Sequence, residues 1–222
     1  MEQIRKNHNF IKRRLIQNCT PQGSTVLDVG CGAGGDLKKW AHCCPKVLHM
    51  CDPNEDSLKE ARDRAKSLHS AAEFFLGAID KCPNRMYDVI CYNFSLHYIF
   101  DSKKLFFDTL QSIRNRLAIG GRLIGIIPDS ESILMDTPFC DEHGNFMRRK
   151  NDTGHGDFGE KVFVYLAETL FYSNGAESEP IAYRDMLVTH LFNIGIELEE
   201  WTRCQGASVT RMYSQFIFIR TH

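Results

Sequence analysis

The chain has 222 residues, enough for one sizeable α/β domain, with 43% apolar and 25% charged residues, ordinary for a globular protein. A formal net charge of −1 gives no global attraction to nucleic acid, so such binding would need a local patch; Arg5, Lys6, Lys12, Arg13 and Arg14 supply one. Nine cysteines without a C-x-x-C pair argue against zinc, and neither a membrane-length apolar run nor a signal-peptide core is present, so the expected setting is soluble, reducing and cytoplasmic.

In chain order, Phe10, Ile11, Leu15 and Ile16 alternate with Lys12, Arg13 and Arg14, which predicts a basic-sided helix within about residues 1–20, broken at Thr20-Pro21. Residues 25–29 predict an apolar strand that runs into the turn Gly30-Cys31-Gly32-Ala33-Gly34-Gly35-Asp36, and residues 37–43 a helix. The pattern then repeats. Residues 46–52 predict a strand ending in Asp52, 55–67 a charged helix, and 72–79 a strand ending at Asp80. Residues 87–92 form an apolar run followed by Asn93-Phe94-Ser95, 103–117 a helix, and 122–127 a strand after Gly120-Gly121.

Beyond Pro128, residues 141–159 are polar and read as an excursion from the sheet, 162–172 as a strand, and 181–193 as a helix stopped at Gly195. Residues 197–201 and 213–220 read as two closing strands. The expected architecture is α/β, a mostly parallel sheet covered on both faces, as a single domain over 1–222 with an insertion at about 130–180.

In such sheets ligands bind beyond the carboxyl ends of the strands, where Asp28, Gly30, Asp52, Asp80 and Asn93 all fall. Gly30, Gly32 and Gly35 satisfy G-x-G-x-x-G, so the turn alone leaves NAD open. Asp28 would put negative charge beside a pyrophosphate, which is unfavourable, but is well placed beside a sulfonium or ammonium. Asp52 can accept ribose hydroxyls, and Asp80 an adenine amino group. Three successive acids therefore suit S-adenosylmethionine better than NAD, the alternative being that Asp52 and Asp80 cap helices.

The run VLDVGCGAGGDLKKW resembles motif I of class I methyltransferases, and specifically of the mRNA cap guanine-N7 methyltransferases. Asn9-Phe10-Ile11-Lys12 resembles that family's N-terminal element, Phe94 to Phe100 its F-x-x-H-Y-x-F segment, and Gly120 to Pro128 its G-G-x-h-I-G-x-h-P strand. Phe158-Gly159-Glu160 and Glu179-Pro180-Ile181 are weaker echoes. The good matches run from Asn9 to Pro128, and the form looks most like the methyltransferase domain of capping enzymes of large cytoplasmic DNA viruses. The resemblance implies a Rossmann-like fold with one antiparallel C-terminal strand. It also implies capped RNA as partner, and triphosphatase and guanylyltransferase domains on the same polypeptide.

Carried over by position, the resemblance implies that Lys12, Asp28, Gly30, Gly32, Asp52, Asp80, Asn93 and Phe94 hold S-adenosylmethionine, with Lys12 on the methionine carboxylate. Asn9, His97, Tyr98, Glu179 and Tyr213 would contact the cap guanine. Ala33 stands where the family carries a basic residue, so the basic N-terminus or Arg148-Arg149-Lys150 would serve the cap phosphates. Guanine N7 carries a lone pair and no proton, so the expected catalysis is positioning by Phe94, His97 and Tyr98, without an acid–base pair or a metal. A small-molecule methyltransferase and a catalytically silent partner domain are the alternatives.

Overall fold

The computed structural model describes residues 2–150, 158–167, 172, 175–206 and 208–222. The central sheet contains β1 (Thr25–Val29), β2 (Val47–Asp52), β3 (Glu73–Leu76), β4 (Tyr87–Asn93), β5 (Leu117–Pro128), β10 (Ile196–Arg203) and β11 (Tyr213–Arg220). Their spatial order is β10-β11-β5-β4-β1-β2-β3. β1 pairs in parallel with β2 and β4, β2 with β3, and β4 with β5, while β11 runs antiparallel to both β5 and β10. One reversed strand therefore interrupts an otherwise parallel sheet, as expected.

The strands are apolar on both sides because helices cover both faces. Val26, Met50, Cys91 and Ile124 pack with Ile4, Leu15 and Ile16 of α1 (Glu2–Cys19) and with Leu37 and Trp40 of α2 (Leu37–Cys43). α3 (Glu55–Ser67) adds Ala65 to that core. The alternate residues Leu27, Cys51, Ile90 and Leu123 face Phe106, Leu110 and Ile113 of α4 (Lys103–Arg116). Leu187 and Leu191 of α6 (Arg184–Asn193) complete that second core. α1 fills the span of about residues 1–20 expected for the basic-sided helix, and the closing strand β10 is longer than residues 197–201.

From β1 the chain steps outward to β2 and β3, then returns to build β4 and β5 on the other side. The crevice between the ends of β1 and β4 is the switch point of the sheet. Gly30 and Ser95 close it. Gly30 has φ +74°, and a Cβ there would lie 2.4 Å from the Ser95 Cβ, so only glycine fits. The Ser95 hydroxyl donates to the Val29 carbonyl at 2.6 Å, and Phe94 takes a left-handed φ of 61°. Backbone strain of this kind persists only where the surroundings hold it.

The segment after β5 is richer than a polar excursion. After α5 (Ser130–Asp136), β6 (Phe139–Cys140), β7 (Phe146–Arg149), β8 (Lys161–Tyr165) and β9 (Glu177–Pro180) form a second, antiparallel four-stranded sheet. The strand expected over 162–172 is β8, which ends at Tyr165; residues 168–171 lie outside the described residues, as do 151–157. The helix expected from 181 begins at Arg184. The strand expected over 72–79 stops at Leu76, because Gly77 (φ 124°) turns the chain, and Asp80 sits in the 3-10 turn Ile79–Lys81. Among the described residues no helix is long and apolar enough to cross a membrane.

Candidate active site

A cavity of about 450 Å³ opens beside the switch point, between α1, the glycine turn, the loop after β4 and the second sheet. α1 contributes Ile4, Arg5, His8, Asn9 and Lys12, a spacing that keeps all five on one helical face. Phe94, His97 and Tyr98 line the floor, Gly35 the turn side, and Tyr172, Glu179 and Tyr213 the far wall. Of the residues expected on sequence grounds, Asn9, Lys12, Phe94, His97, Tyr98, Glu179 and Tyr213 therefore meet in one space. Asp28 and Asn93 lie buried behind it. Asp80 does not line it: its half-exposed carboxylate pairs with Lys81 at 2.9 Å, a consequence of the strand ending four residues earlier.

Asp36 is the hub of the buried polar network, and sequence reasoning did not single it out. Its Oδ1 pairs with Lys12 at 2.8 Å and Lys39 at 2.7 Å, while Oδ2 accepts from Asn93 Nδ2 at 3.1 Å. Lys39 also donates to Asn9 Oδ1 and the Gly35 carbonyl, both at 3.0 Å. One carboxylate thus ties together α1, the glycine turn, α2 and β4. Burial pushes the Asp36 carboxyl up, but the two ammonium groups outweigh it and hold the group below its ordinary range. The legible signal was the Asp36–Lys39 spacing across the first turn of α2. Lys12, expected on the methionine carboxylate, is engaged with Asp36 here.

Asp28 is buried and accepts the Trp40 indole N–H at 2.8 Å. Burial, and then the neighbouring Asp36 charge, push its carboxyl up to about 7. Asp52 differs. One of its oxygens accepts the Gly32 N–H at 2.7 Å and the other the Asn54 N–H at 2.9 Å, so the carboxylate is fixed against the turn with lone pairs to spare. A side chain at Gly32 or Gly35 would meet no atom within 4 Å, so open space lies over the turn. The Asn93 Oδ1 is buried with no partner among the described residues. An adenosine with a zwitterionic tail fits this donor and acceptor set.

On the far side, Glu179 is brought in by β9, which pairs with β8 and packs on the 3-10 turn Leu96–Asp101. Its Oε1 accepts the Tyr172 hydroxyl at 2.8 Å, and Oε2 lies 3.2 Å from His97 Nε2. That nitrogen is close enough for attraction but not aligned to donate, and both ring nitrogens of His97 are buried without a hydrogen bond among the described residues. Burial pushes the Glu179 carboxyl up, yet His97 and Tyr172 outweigh it and hold it below its ordinary range. His97 lies against half-exposed Tyr98 with ring centroids 4.2 Å apart. His8, Phe94 and Tyr213 form an aromatic wall with centroids 5.0–5.4 Å apart. Burial, then the Lys12 charge, lower His8 to about 4, so its ring is neutral at working pH.

Cations stand at the edges. Arg5 is exposed on α1, and Arg64 of α3 lines the cavity while pairing with Glu60 at 2.7 Å. Arg148 and Lys150 instead lie over the Phe163 ring, and Arg149 pairs with Glu160, so the run 148–150 belongs to the second sheet. Among the described residues no cluster suits a metal ion.

The fold is shared with solved methyltransferases. One is an S-adenosylmethionine-dependent methyltransferase from Clostridium acetobutylicum, with TM-score 0.67 and 16% identity over 98% of this chain and 92% of that one. Another is the N-methyltransferase NodS from Bradyrhizobium japonicum in complex with S-adenosyl-L-homocysteine, with TM-score 0.65 and 17% identity over 98% and 87%. Among curated proteins, the mRNA cap guanine-N(7) methyltransferase of Schizosaccharomyces pombe is 33% identical over 146 residues, 60% of this chain and 41% of that protein. The protein of that name in Cryptococcus neoformans is 31% identical over 198 residues, 81% of this chain and 32% of its own length. The chain spans less than half the length of these curated relatives. The mRNA (guanine-N(7))-methyltransferase domain matches residues 1–168, which hold the glycine turn, the Asp36 hub and the His97-Tyr98 pair. With that match across most of its length, the chain belongs to the mRNA (guanine-N(7))-methyltransferase family.

Proposed function

We propose that the chain methylates N7 of the guanine that caps RNA, with S-adenosylmethionine as donor and the GpppN end of RNA as acceptor. The observation that carries this reading is that buried Glu179, with His97 3.2 Å away, shares one cavity with Lys12 and the glycine turn. When bound, the donor supplies an electrophilic methyl group on a sulfonium.

The residues need only hold and orient. Guanine N7 offers its lone pair without losing a proton, so no general base is required. Glu179, kept ionised, accepts from guanine N1–H and the exocyclic amine, a pattern adenine lacks. The same negative charge favours a guanine that becomes positive as the methyl arrives. Phe94, fixed by its left-handed backbone, and Tyr98 confine the base between Glu179 and the donor. Asp52 and Asn93 suit the adenosine, and Lys12 and Asp28 the zwitterionic tail.

Arg5 and Arg64 at the cavity edge suit the cap phosphates and take the place of the base absent at Ala33. Triphosphatase and guanylyltransferase domains, on this or another polypeptide, are the activities that would produce the GpppN end. All nine cysteines are free thiols, which supports a reducing, cytoplasmic setting.

The test is methyl transfer from labelled S-adenosylmethionine to GpppA-RNA, m7GpppA-RNA and free metabolites. Transfer to GpppA-RNA alone is expected. Equal transfer to m7GpppA-RNA would place the accepting atom elsewhere on the RNA, and turnover only on metabolites would replace this reading with that of a small-molecule methyltransferase.

A further inference from the structure

α1 lines two cavities, one on each side of the helix. Arg5, Asn9 and Lys12 face the cavity already described. On the other side, a second cavity of about 450 Å³ lies between Phe10, Arg14 and Asn18 of α1 and Glu200, Thr202 and Gln215 of the antiparallel strands β10 and β11. An α-helix turns about 100° per residue, so each four-residue step moves about 40° around its axis. The row Arg5, Asn9, Arg13 therefore climbs out of the first cavity onto the exposed face. The neighbouring row Lys6, Phe10, Arg14 continues from that face to the second.

That outward face sets cations around one aromatic ring. Arg5, Lys6, Arg13 and Arg14 are all exposed, against a single acidic residue in the helix sequence, Glu2. Lys12, the fifth cation, is committed to Asp36. Among the described residues no carboxylate pairs with Arg5, Arg13 or Arg14. Phe10 is 60% exposed and belongs to neither core, and the Arg14 guanidinium lies 5.8 Å from its ring centroid. A single exposed phenylalanine needs no explanation. One flanked by unpaired guanidinium groups at the mouth of a cavity has the make-up of a platform for an unpaired nucleobase.

The second cavity differs from the helix face in charge. Arg122 holds both oxygens of Glu199, at 2.9 and 3.1 Å, and Arg203 is held by Asp136 at 2.7 Å. Glu200 accepts from Gln215 at 2.7 Å and from Thr202 at 2.8 Å. The interior is thus unsuited to a phosphate but rich in partners for a base edge, while the helix face suits phosphates.

We propose that the RNA strand behind the cap crosses the outward face of α1 and stacks an unpaired base on Phe10 at the mouth of the second cavity, with phosphates lying on Arg13 and Arg14. This rests on the reading that the first cavity takes the cap guanine. The helix, about 10–12 Å across, separates the two cavities, so the contact falls to nucleotides beyond the cap dinucleotide. Every base has a π face to stack, so the contact favours capped RNA over free cap nucleotides without selecting a sequence.

The experiment follows methyl transfer from S-adenosylmethionine to the dinucleotide GpppA and to GpppA-RNA of increasing length. The whole chain is compared with Phe10→Ala, Phe10→Trp and the double variant Arg13→Ala/Arg14→Ala. In the wild type, KM should fall as the RNA lengthens while kcat stays constant. Phe10→Ala should raise KM for the longer RNA by roughly 5- to 150-fold, the loss of one stacked base, and leave the dinucleotide unaffected. Phe10→Trp keeps the platform and should keep the wild-type KM. The double variant should flatten the slope of log KM against log salt by about 1.4, for two phosphate contacts to a single strand.

A wild-type KM that ignores RNA length overturns the inference and leaves the cap reading intact. A length dependence that survives in Phe10→Ala sends the strand elsewhere and overturns it equally. Should thermal melting show Phe10→Ala misfolded, the arginine variant decides, and an unchanged salt slope there overturns the inference. Transfer to neither acceptor removes the cap reading, and the inference with it.

Discussion

Lys12 of α1 places its ammonium 2.8 Å from the Asp36 carboxylate, and this contact docks the first helix over the cavity that the helix helps to line. Because Lys39 shares the same oxygen, removing the carboxylate leaves two cations facing each other in a buried site. Asp36→Ala should therefore cost about 3–5 kcal/mol of stability, the range for breaking a buried pair from one side. Denaturant unfolding measures it. A loss within the scatter of surface substitutions would show that the network does not hold α1 in place.

Gly30 and Ser95 form a steric pair. A Cβ at Gly30 would lie 2.4 Å from the Ser95 Cβ, and the backbone there has φ +74°. Gly30→Ala should destabilise the protein by about 1–3 kcal/mol through overpacking, with backbone strain added. Ser95→Gly in the same chain should recover the overpacking part and not the strain. Thermal melts of the single and double variants separate the two contributions.

Glu179 and Asp52 should divide the kinetics between them. Glu179→Gln removes the charge meant for guanine and leaves the donor side untouched. It should lower kcat/KM on capped RNA by the equivalent of about 1.5–3 kcal/mol while donor affinity stays unchanged. Asp52→Ala should weaken donor binding by about the same amount. It should also loosen the turn, because the Gly32 N–H loses its partner. Equal donor affinity in Asp52→Ala would place the adenosine elsewhere.

Stability should also report on Asp28. Its proton affinity is raised from 3.8 to about 7 by burial and by Asp36, so the folded chain holds a proton between these pH values that the unfolded chain has lost. Stability must therefore fall as pH rises through that interval. Asp28→Asn removes the term. Its melting midpoint should gain on the wild type between about pH 4 and about pH 7, and a constant difference would mean that Asp28 ionises without cost.

The parts of this architecture that repeat were legible in the sequence. Apolar runs ending in Asp28, Asp52 and Asn93 identify parallel strands and the rim where they end, because each fact is local to its own segment. Asp36 was hidden for the opposite reason. Its partners come from three other segments, and nothing in Gly35-Asp36-Leu37 announces that α1 folds back to bring Lys12 to it. The second sheet was hidden too, since strands as short as Phe139–Cys140 and Phe146–Arg149 carry too few residues to show alternation. Asp80 was assigned to a strand end because Phe74-Phe75-Leu76 continues into Ala78-Ile79, but the positive φ at Gly77 ends the strand first.

The two halves of the cavity, Lys12 with the glycine turn and Glu179 with His97, are claimed to serve one reaction. A crystal of the chain with S-adenosylhomocysteine and the cap dinucleotide GpppG tests this most directly. Guanine should lie with N1–H and its amine roughly 3 Å from the Glu179 carboxylate and with N7 turned toward the sulfur. Guanine bound outside the cavity, with Glu179 still held by Tyr172 and His97 alone, would contradict it.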